Sequence, residues 1–170
     1  ASNVLINSCG QEAFIALHGG NYTFRHCTFD NSHTYVIQRK FPAFLATNND
    51  YKNKSGGVIV KSSLRLKMYN SIIWGEGVDE ELDLEKANTT SVFDTLIRNT
   101  VIKSKKDYLK MPLVNIDPRF KVTGSKNTNY HLDSISKIRQ RGMYMPFVKD
   151  DMDDLNRSAT PDPGCYESKY

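Results

Sequence analysis

The chain predicts an all-β solenoid, and three observations carry that expectation. First, Tyr22, Phe24 and His26 alternate with Thr23 and Arg25 in the stretch from Gly20 to Asn31, which is the period of a strand. Second, the same pattern, apolar alternation ending in a polar turn, recurs at Asn3–Cys9, at Leu64–Trp74 and at Val92–Ile102. Third, aromatics are frequent, with nine Tyr and eight Phe, and Asn clusters at turn positions. Aromatics suit pleated surfaces. Asn tolerates left-handed backbone and bonds its own main chain. A unit repeated at such intervals reads as one coil of a stack.

Taken in order, residues 1–107 read as coils with insertions. Ala13–Leu17 is a compact apolar strand, Gly19-Gly20 a turn, and residues 34–37 a short strand that repeats the role of 13–17. Residues 40–57 break the rhythm with loop chemistry, Asn48-Asn49-Asp50 and Ser55-Gly56-Gly57, and read as a lateral insertion. Strand returns at residues 57–60. The copy at 64–74 closes on Trp74-Gly75. Residues 75–91, rich in Asp and Glu, read as a second excursion with a helical turn. After the copy at 92–102, periodicity fades. Residues 108–170 read as an irregular C-terminal cap, because a solenoid must protect its last open edge.

Composition narrows the function classes. Net charge is +4, with both signs interspersed along the chain. Nucleic-acid binding is not expected, since it would need a concentrated basic face. No apolar run reaches the roughly 18 residues of a membrane span. The chain opens inside a strand-like copy, so an N-terminal portion of the same protein, or a second chain, is expected to cover the first coil. Cys9 and Cys27 take equivalent places in consecutive copies. Stacked as neighbours they would lie about 4.8 Å apart, as a ladder of buried thiols or as a disulfide.

Several landmarks bear a family resemblance. Asn70-Ser71-Ile72-Ile73-Trp74-Gly75 resembles the rung end "NSIIWGN", and Asp117-Pro118-Arg119-Phe120 resembles "DPLF". Tyr130-His131-Leu132, with Ser136 and Gly142, resembles "YHL…SPAIDAG", with Lys137 and Gln140 departing from it. Asp151, Asp153 and Arg157 fit "DxDGxxR", with Asp154 in place of the Gly. Residues 161–167 resemble the closing "PDIGAYE". Together these resemble the C-terminal part of secreted bacterial right-handed parallel β-helix proteins with a choice-of-anchor Q domain. The resemblance implies a right-handed parallel β-helix, an extracellular or cell-surface setting, a polysaccharide partner, and an acid in the cap that pairs with Arg157.

Candidate site residues follow from chemistry. A polysaccharide lyase needs a Lys or Arg base and a neutralised carboxylate, which makes the outward Lys61 and Arg65 catalytic candidates. Arg25, Lys67 and Tyr51 are candidates for holding carbohydrate. Asp151 and Asp153 are candidates for Ca²⁺, although they lack the Gly and terminal Glu of a calcium loop. Solvated faces and a structured cap account for the same residues, so no cofactor is expected. The acidic residues 79–85 read as a solvated loop, His26 as a packed ring, and Trp74 as a corner residue. The expected function is a non-catalytic carbohydrate-binding or scaffold module. The alternative is part of a lyase or glycoside hydrolase whose groove lies partly upstream.

Overall fold

The structure, a computed structural model, describes residues 1–32, 38–54, 57–106, 113–123 and 128–168. Every regular element among them is a β-strand. The chain visits three parallel sheets in strict rotation. β1 (Leu5–Asn7) belongs to the first sheet, β2 (Phe14–Ala16) to the second and β3 (Gly20–Arg25) to the third. β4 (Thr28–Asn31) returns to the first and β5 (Phe44–Thr47) to the second. A hairpin of β6 (Tyr51–Lys52) and β7 (Ile59–Val60) interrupts the sequence. Then β8 (Leu64–Tyr69), β9 (Ile72–Gly75) and β10 (Leu82–Glu85) add to the third, first and second sheets. β11 (Phe93–Arg98) and β12 (Val101–Ile102) extend the third and first again. A second antiparallel hairpin follows, β13 (Phe120–Val122) with β14 (Asn129–Leu132). The expected strand at 34–37 lies outside the described residues.

Alternation fills the space between the sheets. On β8, Leu64, Leu66 and Met68 are buried while Arg65 and Lys67 are exposed. All three sheets send side chains into one cluster that includes Phe24, Phe29, Phe44, Leu66, Ile73 and Leu82. Phe14 stacks on Phe44 with centroids 4.5 Å apart, and Phe24 meets Phe29 edge-on at 5.3 Å. Burying each such ring or branched chain stabilises by about 1.5–3 kcal/mol.

Each repeat seen in the sequence is two strands around a corner, not one strand. The corner residues Asn3, His26, Asn70 and Asn99 have φ of 52°, 51°, 48° and 48°. A left-handed residue turns the chain from the third sheet into the first. Asn adopts that conformation more readily than most residues with a side chain. The pairing Leu5↔Thr28 sets Asn3 level with His26. It also overturns the expected Cys9–Cys27 ladder. Cys27 lies level with Val4, while the Cys9 amide donates to Asn31 Oδ1 at 3.0 Å. All three cysteines are free.

Two expected insertions contain strands of the parallel sheets. β5 lies inside 40–57, and β10 lies inside 75–91, paired in parallel with β5. The charges of Asp83 and Glu85 disguise β10, yet Leu82 is fully buried. Glu81 is buried as well, contrary to a solvated loop. It forms a bidentate pair with Arg39 at 2.9 and 2.5 Å and accepts the Ala43 amide. Gly75 makes room for this pair, because a Cβ there would meet both the Glu81 carboxylate and the Arg39 guanidinium.

The C-terminal segment packs against the first sheet and its corners. Ile72 and Val101 point away from the central core and pack with Leu113, Leu132 and Ile138. Asn99 Nδ2 donates to Arg141 O at 2.8 Å, and Asn70 exchanges two bonds with Met143. The Gly164 amide donates to Asn70 O, and the Cys165 amide to Thr28 Oγ1. Asn3 donates to Asp150 O and accepts from Arg157. The segment thereby bonds to the corner residues Asn3, Asn70 and Asn99, and to Thr28 beside the fourth corner.

Candidate functional site

With the first sheet covered by the C-terminal segment, the third sheet presents its outer face. Register places its outward residues in three rows: Asn21, Arg65 and Asp94; Thr23, Lys67 and Leu96; Arg25, Tyr69 and Arg98. Neighbouring strands lie about 4.8 Å apart, and alternate residues on one strand about 6.6 Å. Four cations, Arg25, Arg65, Lys67 and Arg98, therefore share one small face with a single carboxylate, Asp94. Arg65, Lys67 and Arg98 are exposed, and Arg25 and Tyr69 half-buried.

The face has an aromatic border. The bonds between Asn70 and Met143 bring the C-terminal segment against the ends of these strands. There Phe147 and Tyr144 are 68% and 55% exposed, and the Arg25 guanidinium lies 5.1 Å from the Phe147 ring centroid. Such a contact fixes an Arg side chain while leaving its charge available.

The other candidates fall elsewhere. Lys61 precedes β8, and its Nζ donates to Thr90 Oγ1 at 3.4 Å. Tyr51 belongs to the β6–β7 hairpin, exposed, its ring 5.0 Å from that of His18. Asp151 is buried, with Oδ1 accepting the Asp153 and Leu155 amides and Oδ2 the Glu167 amide. It closes a turn. Asp153 lies 3.1 Å from His131 Nε2. Among the described residues no group of three metal-ligating side chains converges. Arg157 faces Glu167 at 3.3 Å, both buried.

Sequence reasoning missed Arg98, Tyr69 and Asp94. The signal was present, since aligning the copies at 20–25, 64–69 and 93–98 brings them into line with Arg25, Arg65 and Lys67. Tyr144 and Phe147 carry no such signal, because the segment that holds them lacks periodicity.

Buried titratable groups gather instead along the first sheet. Burial, with the Arg157 guanidinium adding to it, holds the His26 imidazole down at about 3. Burial pushes the Asp30 carboxyl up to about 6, although Ser32 and the Tyr130 hydroxyl donate to it. Burial likewise raises the Cys165 thiol to about 12, which makes it a poor nucleophile. These groups join the C-terminal segment to the sheet. No family model, curated protein or solved structure matches the chain.

Proposed function

We propose that this chain is part of a right-handed parallel β-helix that binds an anionic polysaccharide without cleaving it. The rotation of strands through three parallel sheets supports the helix reading. The right hand follows from the strong preference of parallel crossovers for that sense. The motif resemblance supports placing it among secreted or cell-surface bacterial proteins of the choice-of-anchor Q type.

The observation that carries the binding reading is the grid of Arg25, Arg65, Lys67 and Arg98 on one flat sheet face. Arg forks match carboxylate and sulfate groups in two-point contacts, and flanking rings offer flat platforms to sugars. The face holds one carboxylate against four cations, which favours a polyanion over a neutral glycan. Catalysis is not part of the reading, because Arg65, Lys67 and Arg98 lie exposed on an open sheet face and Arg25 rests against the Phe147 ring.

The test is affinity electrophoresis through gels containing polygalacturonate or a neutral glucan. Retardation is expected with polygalacturonate alone. Arg65→Ser with Lys67→Ser should weaken binding at least about tenfold, equivalent to about 1.4 kcal/mol. Equal retardation by the neutral glucan would overturn the polyanion reading. Sustained release of unsaturated uronate in the presence of Ca²⁺, lost on replacing Lys61 or Arg65, would overturn the non-catalytic reading.

A further inference from the structure

The loop that carries Phe147 ends in a tight turn. The Val148 amide donates to Met145 O at 3.0 Å, closing a β-turn with Pro146 and Phe147 at its tip. Proline presets the backbone for the first of those two positions. Met145 and Val148, at the base of the turn, are buried, while Met143, Tyr144 and Phe147 are exposed. We propose that this knuckle, with the cations around it, docks the protein on an anionic lipid surface.

The knuckle is fixed before it meets a partner. Asn70 exchanges two bonds with Met143, and Asn99 Nδ2 donates to Arg141 O. The Gly142 amide donates to Pro161 O at 2.8 Å. The entropy of ordering this loop is therefore lost on folding, and little of it remains to oppose docking.

The apolar tip points to lipid. Single exposed apolar residues are ordinary on a protein surface. Here three of five consecutive residues, Met143, Tyr144 and Phe147, lie outside on one loop. Met143 offers a sugar neither a flat face nor a strong hydrogen-bonding group. Aromatic and thioether side chains suit the boundary between headgroups and acyl chains, where a tyrosine keeps its hydroxyl in the polar layer.

Charge selects the kind of lipid. The Arg25 guanidinium lies against the Phe147 ring. Arg141 and Lys149 flank the knuckle in the chain, both exposed, with no carboxylate between them. The Asn99 bond sets Arg141 beside the end of β11, which carries Arg98. Cations held at a bilayer surface are drawn to anionic headgroups over about a Debye length. Polyanion binding on the sheet is led by its cations, whereas lipid docking also needs the apolar tip, so the two are separable.

The experiment sediments the whole protein with vesicles of phosphatidylcholine, pure or mixed with phosphatidylglycerol. Co-sedimentation with the mixed vesicles alone is expected. Tyr144→Ser with Phe147→Ser should weaken it at least about tenfold. Phe147→Trp should keep it, and the added emission should shift to shorter wavelength on the mixed vesicles. No co-sedimentation, equal binding to pure phosphatidylcholine, full binding by the double Ser variant, or an unshifted emission would each overturn the proposal. Polygalacturonate retardation, measured alongside, tells the two failures apart. Retardation without vesicle binding sinks lipid docking alone, and vesicle binding without retardation sinks the glycan reading alone.

Discussion

At the residue scale, His26 occupies the corner position that asparagine holds at residues 3, 70 and 99. Its ring meets Asn70 Nδ2 at 2.7 Å and lies beneath the C-terminal segment near Arg157. The folded protein keeps it neutral down to about pH 3, whereas the unfolded chain protonates it near 6.5. Stability contributed by His26 is therefore lost as pH falls below 6.5. Asp30 acts oppositely. Its carboxyl protonates near 6 when folded and near 3.8 when unfolded, so its contribution rises as pH falls from 6 to 4. The two trends oppose each other between pH 6 and 4. His26→Asn should gain on the parent by about 1.4 kcal/mol per pH unit as pH falls below 6.5. Asp30→Asn should lose ground by a similar amount per unit between 6 and 4. Urea midpoints across pH 4–7 check both, and parallel profiles for variant and parent would contradict them. The Arg39–Glu81 pair is fully buried. Arg39→Met would strand the Glu81 carboxylate at a loss of about 3–5 kcal/mol. Arg39→Met combined with Glu81→Leu should recover much of it in the same assay.

At the element scale, the strands that repeat in the sequence were the readable ones. Leu64, Leu66 and Met68 alternate cleanly with Arg65 and Lys67, and the copy at 93–98 pairs with them residue for residue. Corners were not readable, because His26 continues the apparent alternation of Tyr22 and Phe24 while its backbone has already turned. The Cys9–Cys27 pairing failed for the same reason. The register is set by the corner, which aligns Asn3 with His26 and so sets Cys27 level with Val4, not with Cys9. β10 was hidden because only Leu82 and Leu84 mark it amid acidic residues. The C-terminal segment was legible only as landmarks, since it holds the flank through loop contacts that have no period. Those contacts yield a prediction. Gly164 has φ 95°, and a Cβ there would lie 2.8 Å from Ile72 Cδ1 and 2.9 Å from Thr28 Oγ1. Gly164→Ala should cost about 1–3 kcal/mol. It should also raise hydrogen exchange in β4 and β9 more than in β3 and β8. Uniform exchange across the sheets would contradict docking of this segment on the first sheet.

At the scale of the whole molecule, the third sheet gathers Arg25, Arg65, Lys67 and Arg98 on its outer face, so the mild net charge of +4 conceals a local concentration of positive charge. Polyanion binding at the sheet should weaken steeply with salt, because exposed charges are screened over about 10 Å at 0.1 M. A dissociation constant unchanged between 50 and 300 mM NaCl, measured by calorimetry, would exclude a charge-led mode. The most direct measurement is an amide NMR titration of the whole protein with an oligogalacturonate of defined length. The expected footprint is a contiguous set of shifts at Thr23, Arg25, Arg65, Lys67, Tyr69, Leu96 and Arg98, with β4 and β9 unmoved. A saturating titration whose shifts fall elsewhere, or no shifts at all, would contradict the assignment of the third sheet as the binding face.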